Sequence, residues 1–136
     1  MFELLDHPAD IGFRAFGGTP AELFANAAVA MLSIAAALDA VEPREEYPLA
    51  AEGSDYESLL VNWLNEVLYW HDGRRVALAA FRVSEIGPTS IAAVGLGEPR
   101  DPGRHPARLV VKAATWHQLK VEETGGRWVA EVYLDV

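Results

Sequence analysis

The stretch "LLDHPADIGFRAFG" at residues 4–17 places Asp6, His7 and Asp10 around a proline, where β-branched residues would build a sheet more easily. At the other end, Asp135 is the penultimate residue and Val136 adds the chain's terminal carboxylate. Carboxylates converging from an N-terminal and a C-terminal strand could form a hard-cation site, because calcium and magnesium take oxygen ligands. Solvated surface aspartates would need no such role. Lys112 interrupts the apolar run "VVKAATW". Alone it reads as a lysine snorkelling from a sheet face. Beside Asp10 and Asp135 it would complete a mixed-charge cluster able to hold a carboxylate or touch a phosphate.

Other chemistries have little support. His7, His71, His105 and His117 are scattered without metal-ligand spacing. None of Ser33, Ser84 and Ser90 lies in a Gly-x-Ser-x-Gly elbow. "GFRAFGG" lacks the Lys-Ser/Thr of a phosphate-cradling loop. The chain has no cysteine, which excludes disulfides and thiolate metal sites and fits a reducing compartment. Twenty Asp and Glu against 11 Lys and Arg give a net charge of −9. Such a surface repels phosphates, so any service to RNA would go through a basic partner or a metal held by carboxylates.

The elements that must position these residues follow from periodicity. "GGTPAELF" opens a first helix with Thr19 as cap, Pro20 at the first helical position and Glu22 completing a capping box. Leu23, Phe24, Ala27, Met31, Ile34 and Leu38 form its apolar stripe. "GSDYESLLVNWLNEVLYWHDG" predicts a second helix, with a capping box from Ser54 to Glu57 and Gly73 closing it. Leu59, Leu60, Trp63, Leu64, Val67 and Leu68 are its stripe, with Asn62, Asn65 and Glu66 opposite. Its aromatic residues read as core.

Strands are predicted over 2–5, 11–16, 47–53, 76–86, 90–97, 108–116, 117–123 and 128–136, with tight turns at "GPT" and "TGGR". "GEPRDPGRHP" at 97–106 is expected to be an exposed loop outside any ladder. The pattern is α+β: a two-layer sandwich in a single domain, 1–136, with two helices packed on a mainly antiparallel sheet. Glu3 and Asp6 replace the basic start of a signal peptide. The run at 23–38, interrupted by Asn26 and Ser33, is short for a membrane span. A soluble, cytoplasmic protein is expected.

Taken in order, "DHPADIGFRAFGGTPAELFANAAVAM", "LLVNWLNEVLY", "GLGEPRDPGRHP", "VKAATWH" and "YLDV" resemble the successive motifs of the archease family. Pro8 stands where threonine is usual, Trp116 where tyrosine is, and Asn62 where many relatives carry aspartate. The resemblance covers essentially the whole chain. It implies a non-catalytic accessory factor of an RtcB-type RNA ligase, promoting the ligase's guanylylation and multiple turnover in tRNA splicing or RNA repair. RNA would be met only indirectly, through the ligase. A broader reading is a chaperone or modulator of RNA-processing enzymes such as methyltransferases. The resemblance assigns ligase activation to Asp10, Lys112 and Asp135. It also implies a divalent cation, calcium or magnesium, on Asp10, Asp135 and Val136.

Overall fold

The computed structural model describes residues 2–6 and 11–136. Its elements run β1 (Phe2–Asp6), β2 (Ile11–Gly17), α1 (Pro20–Ala35), β3 (Glu45–Glu52), α2 (Tyr56–Leu68), β4 (Val76–Gly87), β5 (Ser90–Pro99), β6 (Ala113–Ala114), β7 (Lys120–Thr124) and β8 (Arg127–Asp135). A 3₁₀ turn, Leu38–Ala40, follows α1, and a π-helical turn, Tyr69–Gly73, extends α2. Both helices form where the sequence predicts and the strands pair antiparallel, although the strand expected over 117–123 begins only at Lys120. The strands divide between two sheets. One has the order β1-β2-β8-β6 with β7 also paired to β8; the other has the order β3-β5-β4.

The helix starts show local chemistry acting first. Thr19 Oγ1 accepts from Glu22 N, and Pro20 is the first helical residue. Glu22 reaches back to the N–H of Gly18, one residue before the cap. For α2 the capping box differs from the predicted pair. Asp55 is the cap, its carboxylate accepting from Ser58 N, while Ser58 Oγ accepts from Asp55 N. An aspartate caps at least as well as a serine, and its box starts the helix one residue later than a Ser54 cap would. The α1 stripe also ends early: Leu38 lies in the 3₁₀ turn.

The larger sheet alternates cleanly. Phe13, Ala15, Ala130, Val132 and Leu134 are buried toward the helices. On the opposite face Glu3, Arg14, Glu131 and Lys120 stand in register across four strands. Arg14 bonds both Glu3 and Glu131 there, a cross-strand polar ladder that keeps this face wet. The helices pack against both sheets. α1 lies on β2 and β4, and α2 lies on β3 and β6. Trp63, fully buried, ties them together: its Nε1 donates to Phe24 O at 3.0 Å and its ring meets Phe81 edge-on. Tyr69 is the exception to the expected aromatic core, 54% exposed on the π-helical turn. The last hairpin turns on Gly125 (φ 61°) and Gly126 (φ 77°), the left-handed pair a two-residue turn requires.

Two further expectations fail, for one reason each. Residues 97–99 belong to β5, and Glu98 is fully buried. Gly97 allows this, because any Cβ there would sit 1.8 Å from Ala77 O of the neighbouring strand. The predicted strand 108–116 shrinks to Ala113–Ala114. The backbone N–H groups of Arg108 and Leu109 turn away to cap Ala35 O at the end of α1, a helix end with no glycine of its own.

Candidate functional site

β8 is the spine on which the candidate residues assemble. Its register sets Leu134 opposite Ile11 on one side and opposite Ala114 on the other. Asp135 is the next residue, opposite Ala113. Lys112 N donates to Asp135 O at 2.7 Å, so the lysine and the aspartate share one end of the sheet. Both side chains are exposed. Lys112 makes no ion pair with Asp135 or with any other described residue, so the sequence pattern finds the right neighbours but not a closed pair. Asp10 lies outside the described residues, as does His7. Among the described residues no group of three or more His, Asp or Glu is set to hold a metal.

Asn65 is the positioning residue that sequence reasoning passes over as part of the polar face of α2. Its Oδ1 accepts from Ala114 N at 2.9 Å and its Nδ2 donates to Ala114 O at 3.4 Å. The amide thus takes the place of a missing neighbouring strand along the outer edge of β6. Thr115 finishes the job on the other side. Its N and Oγ1 both donate to Tyr133 O, and its Oγ1 accepts from His117 N. The His117 and Tyr133 rings meet edge-on at 5.9 Å. The Tyr133 ring in turn covers Gly12, where a Cβ would meet it at 2.7 Å. Asparagine at position 65 carried a signal in hindsight: a polar amide directly following Leu64 of the buried stripe. Asn65→Ala should leave both Ala114 backbone groups without partners and cost about 1–3 kcal/mol in urea unfolding.

A second cluster organises the loop before this edge. The Glu98 carboxylate accepts from Glu42 N (2.9 Å), Arg44 Nη2 (2.7 Å), and Arg104 Nη1 and Nη2 (3.1 Å each). His105 Nε2 lies 2.9 Å from the same carboxylate. His105 Nδ1 accepts from Asp101 N, so the ring proton sits on Nε2 and points at Glu98. The Glu42 N–H above all, then His105, Arg104 and Arg44, outweigh burial and hold the Glu98 carboxyl at about 2, well below its ordinary value. The expected exposed loop is therefore stapled at Glu98 and His105, and His105 shapes the loop without reaching Asp135.

Fold and site together define a class: a small α+β protein whose exposed acid–lysine edge is held in place by backbone and amide hydrogen bonds, with the helices behind it. Residues 2–136 match the model of the Archease protein family (MTH1598/TM1083). The chain belongs to that family. It is 41% identical to protein archease of Methanopyrus kandleri and 40% identical to that of Methanosarcina mazei, covering 99% of this chain in both and 99% and 95% of the relatives. Among solved structures it is similar to protein 1598 of Methanobacterium thermoautotrophicum, at 34% identity, with a TM-score of 0.85 over 99% of this chain and 98% of that one. An archease of Thermotoga maritima, described as a possible chaperone, shares the fold at 20% identity with a TM-score of 0.63, over 97% of this chain and 94% of that one.

Proposed function

We propose that this chain is an accessory factor of an RtcB-type RNA ligase, promoting the ligase's guanylylation and multiple turnover, with Asp10, Lys112 and Asp135 acting at the ligase's active site. The single observation that carries the reading is the end of β8: a family-matching chain with Lys112 and Asp135 exposed and joined through one backbone hydrogen bond. Asp10 is covalently joined to Ile11, which pairs with Leu134, the residue before Asp135. Phosphoryl transfer asks mainly for positioning and charge stabilisation, and an aspartate and a lysine offered on a rigid edge supply both.

A divalent cation, calcium or magnesium, fits the donor chemistry of Asp10, Asp135 and Val136. The Asp135 carboxylate is exposed and makes no ion pair with a described residue, leaving its oxygens available to a hard ion. Such an ion would supply positive charge for phosphate oxygens. Asp135 orients its share of the ligand set from a strand end, and Lys112 offers a separate cation to an approaching phosphate.

Transfer of labelled guanylate from GTP to the ligase, with and without this chain, tests the reading. Faster or more complete labelling is the expected result, and unchanged labelling of a demonstrably active ligase contradicts it. The description of the Thermotoga relative as a possible chaperone favours a broader second reading, a modulator of several RNA-processing enzymes. Several unrelated clients in an affinity capture, instead of one ligase, would select it.

A further inference from the structure

All 20 Asp and Glu residues of the chain lie outside residues 102–121, a stretch that carries Arg104, Arg108, Lys112 and Lys120. In an acidic protein this is a strip without a single carboxylate. Its first part is tied to Glu98 of the smaller sheet and to the end of α1, and from Lys112 onward it follows the edge of the larger sheet through β6 and the turn before β7. Three of the large apolar side chains exposed among the described residues lie in it, Leu109 (36%), Val110 (65%) and Trp116 (60%), with Val136 (40%) just past the last rung of the ladder; Leu4 and Tyr69 are exposed outside it. Asp135, Glu122 and Glu123 border the strip and are exposed. An apolar centre free of carboxylates and rimmed by acids is the pattern of a protein interface that desolvates its middle and keeps its charges wet.

We infer that this strip, with Val110 and Trp116 at its centre, is the face by which the chain docks on its protein partner, an inference that rests on the ligase reading above. The partner it fits is a polyanion-binding protein with an apolar docking face and a basic margin, which the acidic rim would steer and orient. Position supports one occupant for both features. Lys112 lies between Val110 and Trp116 in the chain, and Asp135 is bound to it through the backbone. A protein that engages the acid–lysine edge therefore covers the strip. Strand addition is not the mode of contact, because the Asn65 amide already occupies Ala114 on the outer edge of β6. Docking is through side chains, and an exposed tryptophan is the residue type that most often anchors such contacts.

The test is equilibrium binding of the full chain to the ligase, measured by fluorescence anisotropy apart from any guanylylation assay. Val110→Glu and Trp116→Ala should each weaken binding by about tenfold or more, with unchanged melting, since both side chains are exposed. Tyr69→Ala, which removes an exposed apolar side chain outside the strip, should bind like wild type. Wild-type affinity in both strip variants overturns the inference while leaving the ligase reading in place. Failure of the wild-type chain to bind an active ligase overturns both. Binding of a single-stranded RNA oligonucleotide by the chain alone, lost in Trp116→Ala, would assign the strip to RNA instead. A wild-type dimer that Val110→Glu dissociates would assign it to a second copy.

Discussion

Asp135→Ala is expected to return an RtcB-type ligase to its unassisted rate, with all stimulation by this chain lost. The side chain is exposed and makes no ion pair with a described residue, so its removal should change folding stability by no more than about 0.5 kcal/mol. Its backbone is a different matter. Asp135 O accepts from Lys112 N, and that bond survives any side-chain substitution. The variant therefore separates function from fold. Lys112→Ala should be milder, lowering stimulation on the order of 10- to 100-fold, the range for one charge-assisted contact of about 1.5–3 kcal/mol. Lys112→Arg keeps the charge but not its compact shape, and partial recovery is expected. Titrating each variant into a guanylylation assay, beside its melting curve, checks both halves. Full stimulation by Asp135→Ala would remove the aspartate from the mechanism.

Glu98→Ala is expected to lower the melting temperature on the order of 10 °C, because it empties a buried site and takes the acceptor from His105, which is buried, and from Arg44 and Arg104, which keep only Glu42 nearby. Arg104 would lose both of its bonds to the carboxylate, Arg44 its bond to it, and Glu42 N and His105 Nε2 their acceptor. Glu98→Gln fills the same volume but offers an amide N–H₂ toward four donors, so it should also destabilise, without a cavity. The same cluster sets the acid limit of the fold. The folded carboxyl sits at about 2 against an ordinary value of 4.5. Its stabilising contribution is full above that ordinary value and is lost as pH falls from there toward 2. His71 acts at milder acidity. Burial first, then Arg100 and Arg75 against the opposing pull of Asp72, lower its pKa below 6.5. A histidine kept neutral stabilises above that value and loses its contribution as pH falls below it. Urea midpoints between pH 7 and 3 should decline, and in Glu98→Gln the decline below pH 4.5 should flatten.

Much of this structure was legible because the signals were local. Thr19, Pro20 and Glu22 announce α1 within four residues, and the two glycines of "TGGR" announce the last hairpin. The stripe from Leu59 to Leu68 predicts its own burial. What escaped depends on partners distant in sequence. Glu98 looks like loop chemistry among two glycines and three prolines; the Glu42 N–H and Arg44, 56 and 54 residues away, join His105 and Arg104 in making its burial tolerable. The apolar alternation of 108–116 is strand-like, yet Ala35 O takes two of its N–H groups and Asn65 takes a third. Division of the strands into two sheets is likewise a matter of long-range pairing, which alternation along one strand does not encode.

The candidate site was half legible. The types and positions of Lys112 and Asp135 suggested a cluster, and the ladder brings their backbones together. Asn65 and Thr115, which hold that edge, were hidden because an amide or hydroxyl acting on backbone leaves no periodic trace.

The most direct measurement is ligation of RNA ends by the RtcB-type ligase of the same organism, with substrate in large excess, in the presence and absence of this chain. The account predicts that ligase alone stalls near one turnover and that the mixture continues to consume substrate. A ligase that is active in its first turnover and gains nothing from the added chain would contradict it.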